Sequence, residues 1–202
     1  MKKSITKEQI IATTLDLIEI KQGREILTIR EISKVLGCSH PNIYNYYASI
    51  DNLLWDVLEL VLETMMEFVI KKIQPEQNPD QKFQTFVSSI VIFSLNNPGW
   101  YKLLWFDEIK TEIPLKTQEK VKIPGQKFAE FVLSLYPEIG DLKTTTSFTK
   151  LIHSYMHGEI CKYITHRNFR DDREVLTESI TKNSFMLLKM LIAKNTSEVK
   201  NA

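Results

Sequence analysis

The sequence predicts an all-α protein, with a three-helix N-terminal module, a larger helical bundle behind it, and about nine helices in total. Three observations carry this. Only 6 glycines occur in 202 residues. Apolar residues recur at helical spacing over long segments, and strict strand-like alternation is scarce. Helix start and stop residues punctuate those segments at regular places.

Residues 4 to 21 form the first predicted helix, with Ile11, Leu15 and Ile18 on one face, Ser4 as its cap and Gly23 as its stop. Thr28 is the next N-cap, and Ile29, Ile32 and Leu36 follow at i, i+3 and i+7, one face of a short helix. Gly37 supplies the left-handed residue that ends it. Ser39 caps a third helix, and Pro41 sits in its first turn, where a missing N–H does no harm. In that helix Ile43 and Tyr47 face inward. His40, Asn42, Tyr44, Asn45 and Tyr46 are left outside. A capped helix joined by a tight turn to a short one with hydrogen-bonding and aromatic residues outward is the layout of a helix-turn-helix DNA reader.

The long segment 49–73 has apolar rows (Leu54, Leu58, Val61, Met65, Val69 and Leu53, Val57, Leu60) over much of its circumference, so it packs on more than one side and connects the module to the rest. Pro75 to Pro79 is a polar break. A helix with Phe83, Phe86, Val87, Ile90 and Phe93 ends before the turn signal Asn96-Asn97-Pro98-Gly99. Trp100 to Ile109 is a short aromatic-rich helix. Residues 117–135 are helical with a kink or break at Pro124-Gly125. Helices at 143–166 and 172–193 close the chain, the last with Leu176, Ile180, Leu187 and Leu191 on one face. The tail from Asn195 is polar and frayed.

The pattern from Thr28 onward resembles the TetR family of bacterial transcriptional regulators. Thr28, Ile29, Arg30, Ile32, Ser33, Leu36, Gly37, Cys38, Ser39, Pro41, Ile43, Tyr44, Tyr46 and Tyr47 match at fixed spacing, and Leu53 fits the start of the next helix. The chain departs at Ile50, where the family usually has a phosphate-holding Lys. Affinity then leans on Lys2, Lys3, Lys7, Arg30 or Lys34. The resemblance implies that Tyr44 places its hydroxyl on a phosphate. Thr28, Arg30, Ser39, Pro41, Asn45, Tyr46, Lys2 and Lys3 complete the expected DNA surface, and His40, Asn42 and Asn45 are the residues suited to base edges. Later, Asn97-Pro98-Gly99-Trp100 and Tyr155-Met156-His157-Gly158 are similar to a C-terminal subtype with a Trp-x-x-His-Gly motif, with Tyr155 at the Trp position.

The expected division is residues 1–48 for DNA reading and 49–202 for ligand binding and dimerisation. Met65, Phe86, Phe93, Trp100, Tyr101, Trp105 and Phe106 are aromatic or apolar candidates for a pocket, with Asp107, His153 and His157 as polar anchors. Ile180, Leu187 and Leu191 are the candidate dimer residues. His153, His157 and Cys161 recur at i, i+4 and i+8, a spacing at which pairs can chelate a metal, but no further cluster completes a tetrahedral site, so no metal is expected.

Net charge is +1, which by itself does not point to a polyanion. Residues 1–47 carry seven Lys and Arg against five Asp and Glu, a small basic excess. The two cysteines fall in distant elements, which fits a reducing cytoplasm. No apolar run approaches the ~20 residues of a membrane helix. No phosphate loop, nucleophile elbow or carboxylate pair is present, so neither an enzyme nor a cofactor is expected. The expected partners are an operator DNA duplex, a second copy of the chain and an unidentified small-molecule effector. The rival reading is a helical small-molecule or metal-binding sensor with a vestigial DNA motif, and it draws on Ile50 and the small basic excess.

Overall fold

The computed structural model describes residues 5–24, 27–167 and 172–200, with side chains described to residue 197. Among them are nine α-helices and no strand: α1 (Lys7–Lys21), α2 (Ile29–Leu36), α3 (His40–Tyr44), α4 (Ile50–Ile73), α5 (Pro79–Asn96), α6 (Pro98–Trp105), α7 (Leu115–Leu135), α8 (Leu142–Ile164) and α9 (Arg173–Lys200). A 3-10 turn, Pro137–Ile139, precedes α8. None of the described helices is long and apolar enough to cross a membrane.

The chain forms two compact units. The first is Met1–Thr64 with Asn97–Val121, and the second is Met65–Asn96 with Lys122–Ala202. Helices α4 and α7 each contribute residues to both.

In the first unit, α1 begins with a capping box. Thr6 Oγ1 accepts the Gln9 N–H at 3.2 Å, and Gln9 Oε1 accepts the Thr6 N–H at 3.0 Å. The expected cap, Ser4, lies outside the described residues. The helix ends at Lys21, as the sequence predicts; Gln22 is its left-handed C-cap (φ 58°), and Gly23 follows with its N–H donating to the Ile18 carbonyl. Ile10, Ile18, Ile32, Ile43, Leu53, Leu54 and Val57 are fully buried and make the core here. Burying such a side chain contributes about 1.5–3 kcal/mol.

In the second unit, carboxylates and amides start the helices. Asn78 Oδ1 accepts two N–H groups at the head of α5, Asp141 accepts the N–H and the hydroxyl of Thr144 on α8, and Asp172 Oδ1 accepts the N–H groups of Glu174 and Val175 on α9. Phe83, Val87, Val91, Val132, Ile152, Met156, Ile160 and Leu188 fill the core. Phe83 sits among Phe128, Tyr136 and Phe185, with ring centroids at 6.2–6.5 Å.

Several local expectations change. Helix α6 stops at Trp105, because the N–H groups of Phe106 and Asp107 both turn back to the Lys102 carbonyl. Helix α7 is a single element with Pro124 inside it. Helix α9 continues past Asn195 to Lys200, and the Asn195 amide donates to the Ile139 carbonyl (3.1 Å), which gives the polar tail a tertiary anchor. The buried row of α9 is Leu176, Ile180, Ser184, Leu188 and Ile192, a four-residue repeat that leaves Leu187 and Leu191 at its margin.

Candidate nucleic-acid interface

Helix α2 is capped by Thr28, whose Oγ1 accepts the Glu31 N–H at 3.3 Å. Gly37 closes it at φ 66°, and the Cys38 N–H reaches the Ser33 carbonyl at 3.0 Å, the paired bonds of a left-handed helix stop. Ser39 then adopts an extended backbone ahead of α3 but makes no side-chain capping bond. The turn therefore needs Gly37 for its shape and leaves the Ser39 hydroxyl outward.

Two residues hold α3 and the turn after it to the unit's core. Ile43 is fully buried, and Tyr47 is buried with its hydroxyl donating to Asp56 Oδ2 at 2.8 Å. Lys7 Nζ lies 2.6 Å from Asp56 and 5.3 Å from the centre of the Tyr47 ring. Burial, with Asp56 beside it, pushes the Tyr47 phenol far above its usual range, so it stays a donor. With these anchors inward, His40, Pro41, Tyr44, Asn45 and Tyr46 are exposed and Asn42 is half-buried. Thr28, the N-cap of α2, and Arg30 on α2 are exposed as well.

Tyr44 and Tyr46 differ. The Tyr44 hydroxyl makes no hydrogen bond among the described residues. The Tyr46 hydroxyl donates to the Ile5 carbonyl at 2.6 Å. The cations differ too. Lys7 pairs with Asp56, Lys21 with Glu31 at 2.7 Å, and Arg24 with Asp51 at 2.8 Å. Arg30 and Lys34, one turn apart on α2, are exposed and form no ion pair among the described residues. Lys2 and Lys3 lie outside the described residues.

The structure divides the pocket candidates. Trp100, Tyr101, Trp105, Phe106 and Asp107 belong to the first unit. Met65, Phe86, Phe93, His153 and His157 belong to the second. Two of the first group have structural partners: the Trp100 indole donates to the Leu15 carbonyl at 3.0 Å, and Asp107 Oδ2 accepts the Arg24 N–H at 2.9 Å. Phe86 stacks on Phe128 and Phe131 at 4.6 and 4.9 Å, and Phe93 meets Phe68 at 5.8 Å. The His153 and His157 rings lie 6.0 Å apart, and Cys161 Sγ is 3.3 Å from His157 Nε2. Burial lowers both imidazole pKa values, with the neighbouring His157 adding to the effect on His153. Among the described residues no three His, Cys, Asp or Glu side chains converge as a metal site.

Ile180 does not fit the dimer role read from sequence. It has 0% exposure within its own chain, so it belongs to that chain's core and has no surface left to offer a partner. Exposed apolar residues lie elsewhere on the two helices: Leu151 on α8, and Met186 and Met190, at 54% and 61% exposure, on α9.

Sequence reasoning missed the contacts that join α1 to α6 and α4 to α7. Glu19 Oε2 accepts the N–H groups of Gly99 (3.0 Å) and Trp100 (3.3 Å) at the start of α6. Glu59 is buried and accepts from Thr117 at 2.5 Å, with Lys120 at 2.8 Å. The Asn-Asn-Pro-Gly signal located the turn, but nothing in the sequence pairs it with an acid 80 residues earlier.

No protein-family model matches the chain. It is similar to the nucleoid occlusion factor SlmA of Vibrio atlanticus, 22% identical over 103 residues. The same factor of Marinomonas sp. is 24% identical over 111 residues. The chain spans about half the length of these curated relatives, 53% and 56%, and the matched part is 51% and 55% of the chain itself. Among solved structures it is similar to a TetR-family transcriptional regulator from Streptomyces coelicolor (TM-score 0.73, 14% identity, 95% of this chain and 88% of that one). The fatty acid degradation regulator FadR of Bacillus halodurans is also similar (TM-score 0.71, 16% identity, 93% and 96%). So is the TetR-family regulator PfmR of Thermus thermophilus (TM-score 0.62, 17% identity, 89% and 97%). The all-α fold is the one these regulators share.

Proposed function

We propose that this chain is a TetR-family transcriptional regulator that binds a pseudo-palindromic DNA operator as a homodimer and is released by a small molecule. The observation that carries the reading is the geometry of α3 and its flanks. Ile43 and Tyr47 point inward, while Ser39, His40, Pro41, Tyr44 and Asn45 face out, on a helix held by a glycine-closed turn. Such a surface suits a major groove. Tyr44, Ser39, Thr28 and Arg30 hold phosphates, and His40, Asn42 and Asn45 reach base edges. Residues 1–48 act as the reader and 49–202 as the effector and dimerisation part.

Dimerisation through α8 and α9 is supported by Leu151, Met186 and Met190, large apolar side chains exposed on the isolated chain, with Leu187 and Leu191 at the margin. Two-fold symmetry then requires a two-fold operator. The effector acts by favouring a state whose readers are misplaced for DNA, which is a coupling free energy between the two sites. Repression is the sign of regulation we infer. Tyr155-Met156-His157-Gly158 supports the Trp-x-x-His-Gly subtype.

The test is selection of bound sequences from random duplex DNA, with sedimentation in parallel. An enriched inverted repeat bound by a dimer is the expected result. No enriched sequence would overturn the reading.

A further inference from the structure

We propose that Asp56 and Lys7 are positioning residues for base reading: one carboxylate on α4 ties the flank of the reader helix, through Tyr47, to the first turn of α1, and Lys7 serves in that tie and not as a phosphate contact. This rests on the DNA-binding reading above and takes Lys7 out of the phosphate-holding set that the sequence suggested.

Helix α3 is short. It has five residues, and Ile43 alone among them is buried. A helix of little more than one turn, packed by a single side chain, has one fixed point and can rock about it. Tyr47 supplies the second. Its N–H donates to the Ile43 carbonyl at 3.1 Å, so its backbone continues the last turn of the helix, and its ring is buried. Its hydroxyl donates to Asp56 Oδ2 at 2.8 Å. The same oxygen takes Lys7 Nζ at 2.6 Å, and that ammonium stands 5.3 Å from the centre of the Tyr47 ring. Carboxylate, phenol and ammonium thus close a triangle of pairwise contacts, with one member from α4, one from the flank of α3 and one from α1.

The triangle bears on base reading more than on folding. The Lys7 and Asp56 side chains are 48% and 28% exposed, and an ion pair that open to water stabilises a fold little. Its geometry has another use. A base-edge hydrogen bond needs its donor and acceptor placed closely in distance and angle, whereas a phosphate needs only charge within reach. His40 and Asn42 lie on α3 and Asn45 directly follows it, so rocking of the helix displaces all three. Arg30 and Lys34, exposed on α2, remain to hold phosphates.

The experiment measures affinity for two duplexes, the sequence selected from random DNA and a mixed sequence, across a salt series. The proteins are wild type, Tyr47→Phe, Lys7→Met, Asp56→Asn and the double variant Lys7→Met/Asp56→Asn, which keeps the net charge of wild type. All are measured well below their melting temperatures, so a loss of stability alone leaves the ratio of the two affinities where it is. That ratio should fall several-fold in every variant, and in the double no further than in the worse single, because the pair acts as one unit. The slope of log affinity against log salt on the mixed duplex should be the same for the double variant as for wild type. A slope flattened by about 0.9, the value of one phosphate contact, would mean that Lys7 holds DNA itself. An unchanged ratio in Tyr47→Phe or in the double would mean that the triangle positions nothing. Either result overturns the proposal while DNA binding stands. A wild-type chain that selects no sequence would bring down the functional reading and this inference together.

Discussion

Glu19 accepts the Gly99 N–H at 3.0 Å across 80 residues of sequence, so the last turn of α1 caps the first turn of α6. The carboxylate faces the positive end of the α6 dipole and satisfies two N–H groups that no helix can pair internally. The backbones meet closely. A Cβ added at Gly99 would run into the Ile18 carbonyl oxygen and come within 2.9 Å of Glu19 Cα.

Gly99→Ala should therefore destabilise the chain. Backbone cannot yield as a flexible side chain does, and overpacking of this kind costs about 1–3 kcal/mol. Glu19→Gln keeps the shape and removes the charge, so its cost should be smaller, near 1 kcal/mol. Denaturant midpoints at unchanged slope would measure both. Equal midpoints for Gly99→Ala and wild type would show that the contact is slack.

Side chains on the outer face of α3 should separate by role. Tyr44→Phe should weaken binding to all duplexes alike, because phosphate contacts position without specifying. His40→Ala or Asn42→Ala should cost about 1–3 kcal/mol at particular base pairs and relax selection there. Comparing selected sequence sets for the three variants reads the difference directly. A uniform loss in all three would remove the base-reading assignment.

Glu59 should make stability depend on acidity. Burial acts to raise its pKa, but the bonds from Lys120 and Thr117 outweigh that and hold it below the usual value of 4.5. The stability it contributes is fully present above pH 4.5 and is lost as pH falls through the lower folded-state value. Glu59→Gln should cost roughly 1–3 kcal/mol at neutral pH. The gap between the two proteins in urea midpoint should close on acidification. A gap that is constant with pH would mean that the ionised form contributes nothing special.

Charges on α9 should have two distinct outcomes. Met186→Glu or Met190→Glu places a charge on exposed apolar surface and should yield a folded monomer by sedimentation, if that surface is the dimer seam. An obligate interface commonly buries on the order of 2,000 Å² or more. Ile180→Glu puts the charge in the subunit core and should unfold the chain. A dimer that survives both methionine changes would move the interface elsewhere.

Much of the fold was legible because helices announce themselves locally. Gly37, Thr28 and the Ile29–Ile32 spacing act within one or two turns, so the α2–α3 unit could be read residue by residue, including the inward Ile43 and Tyr47. Details that depend on which residue wins a local competition were not. Gln22 takes the left-handed C-cap position ahead of Gly23, and α9 runs on past Asn195, whose amide donates to the Ile139 carbonyl. In α9 periodicity puts Leu176, Ile180, Leu187 and Leu191 on one face, whereas the buried row is Leu176, Ile180, Ser184, Leu188 and Ile192. Packing decided that Ile180 is core and that Leu187 and Leu191 lie at its margin.

The sequence by itself determined the all-helical fold, the turn between α2 and α3, and the set of residues presented outward there, because backbone conformation, capping and helical periodicity act over a few residues and need no partner. Only the tertiary structure decided what those residues touch. It took the Tyr46 proton for Ile5, the Lys7 charge for Asp56, and the Glu19 carboxylate for the head of α6. A side chain's hydrogen-bonding capacity is written in its chemistry. Which partner receives it depends on distances between segments far apart in the chain, and those are set by packing.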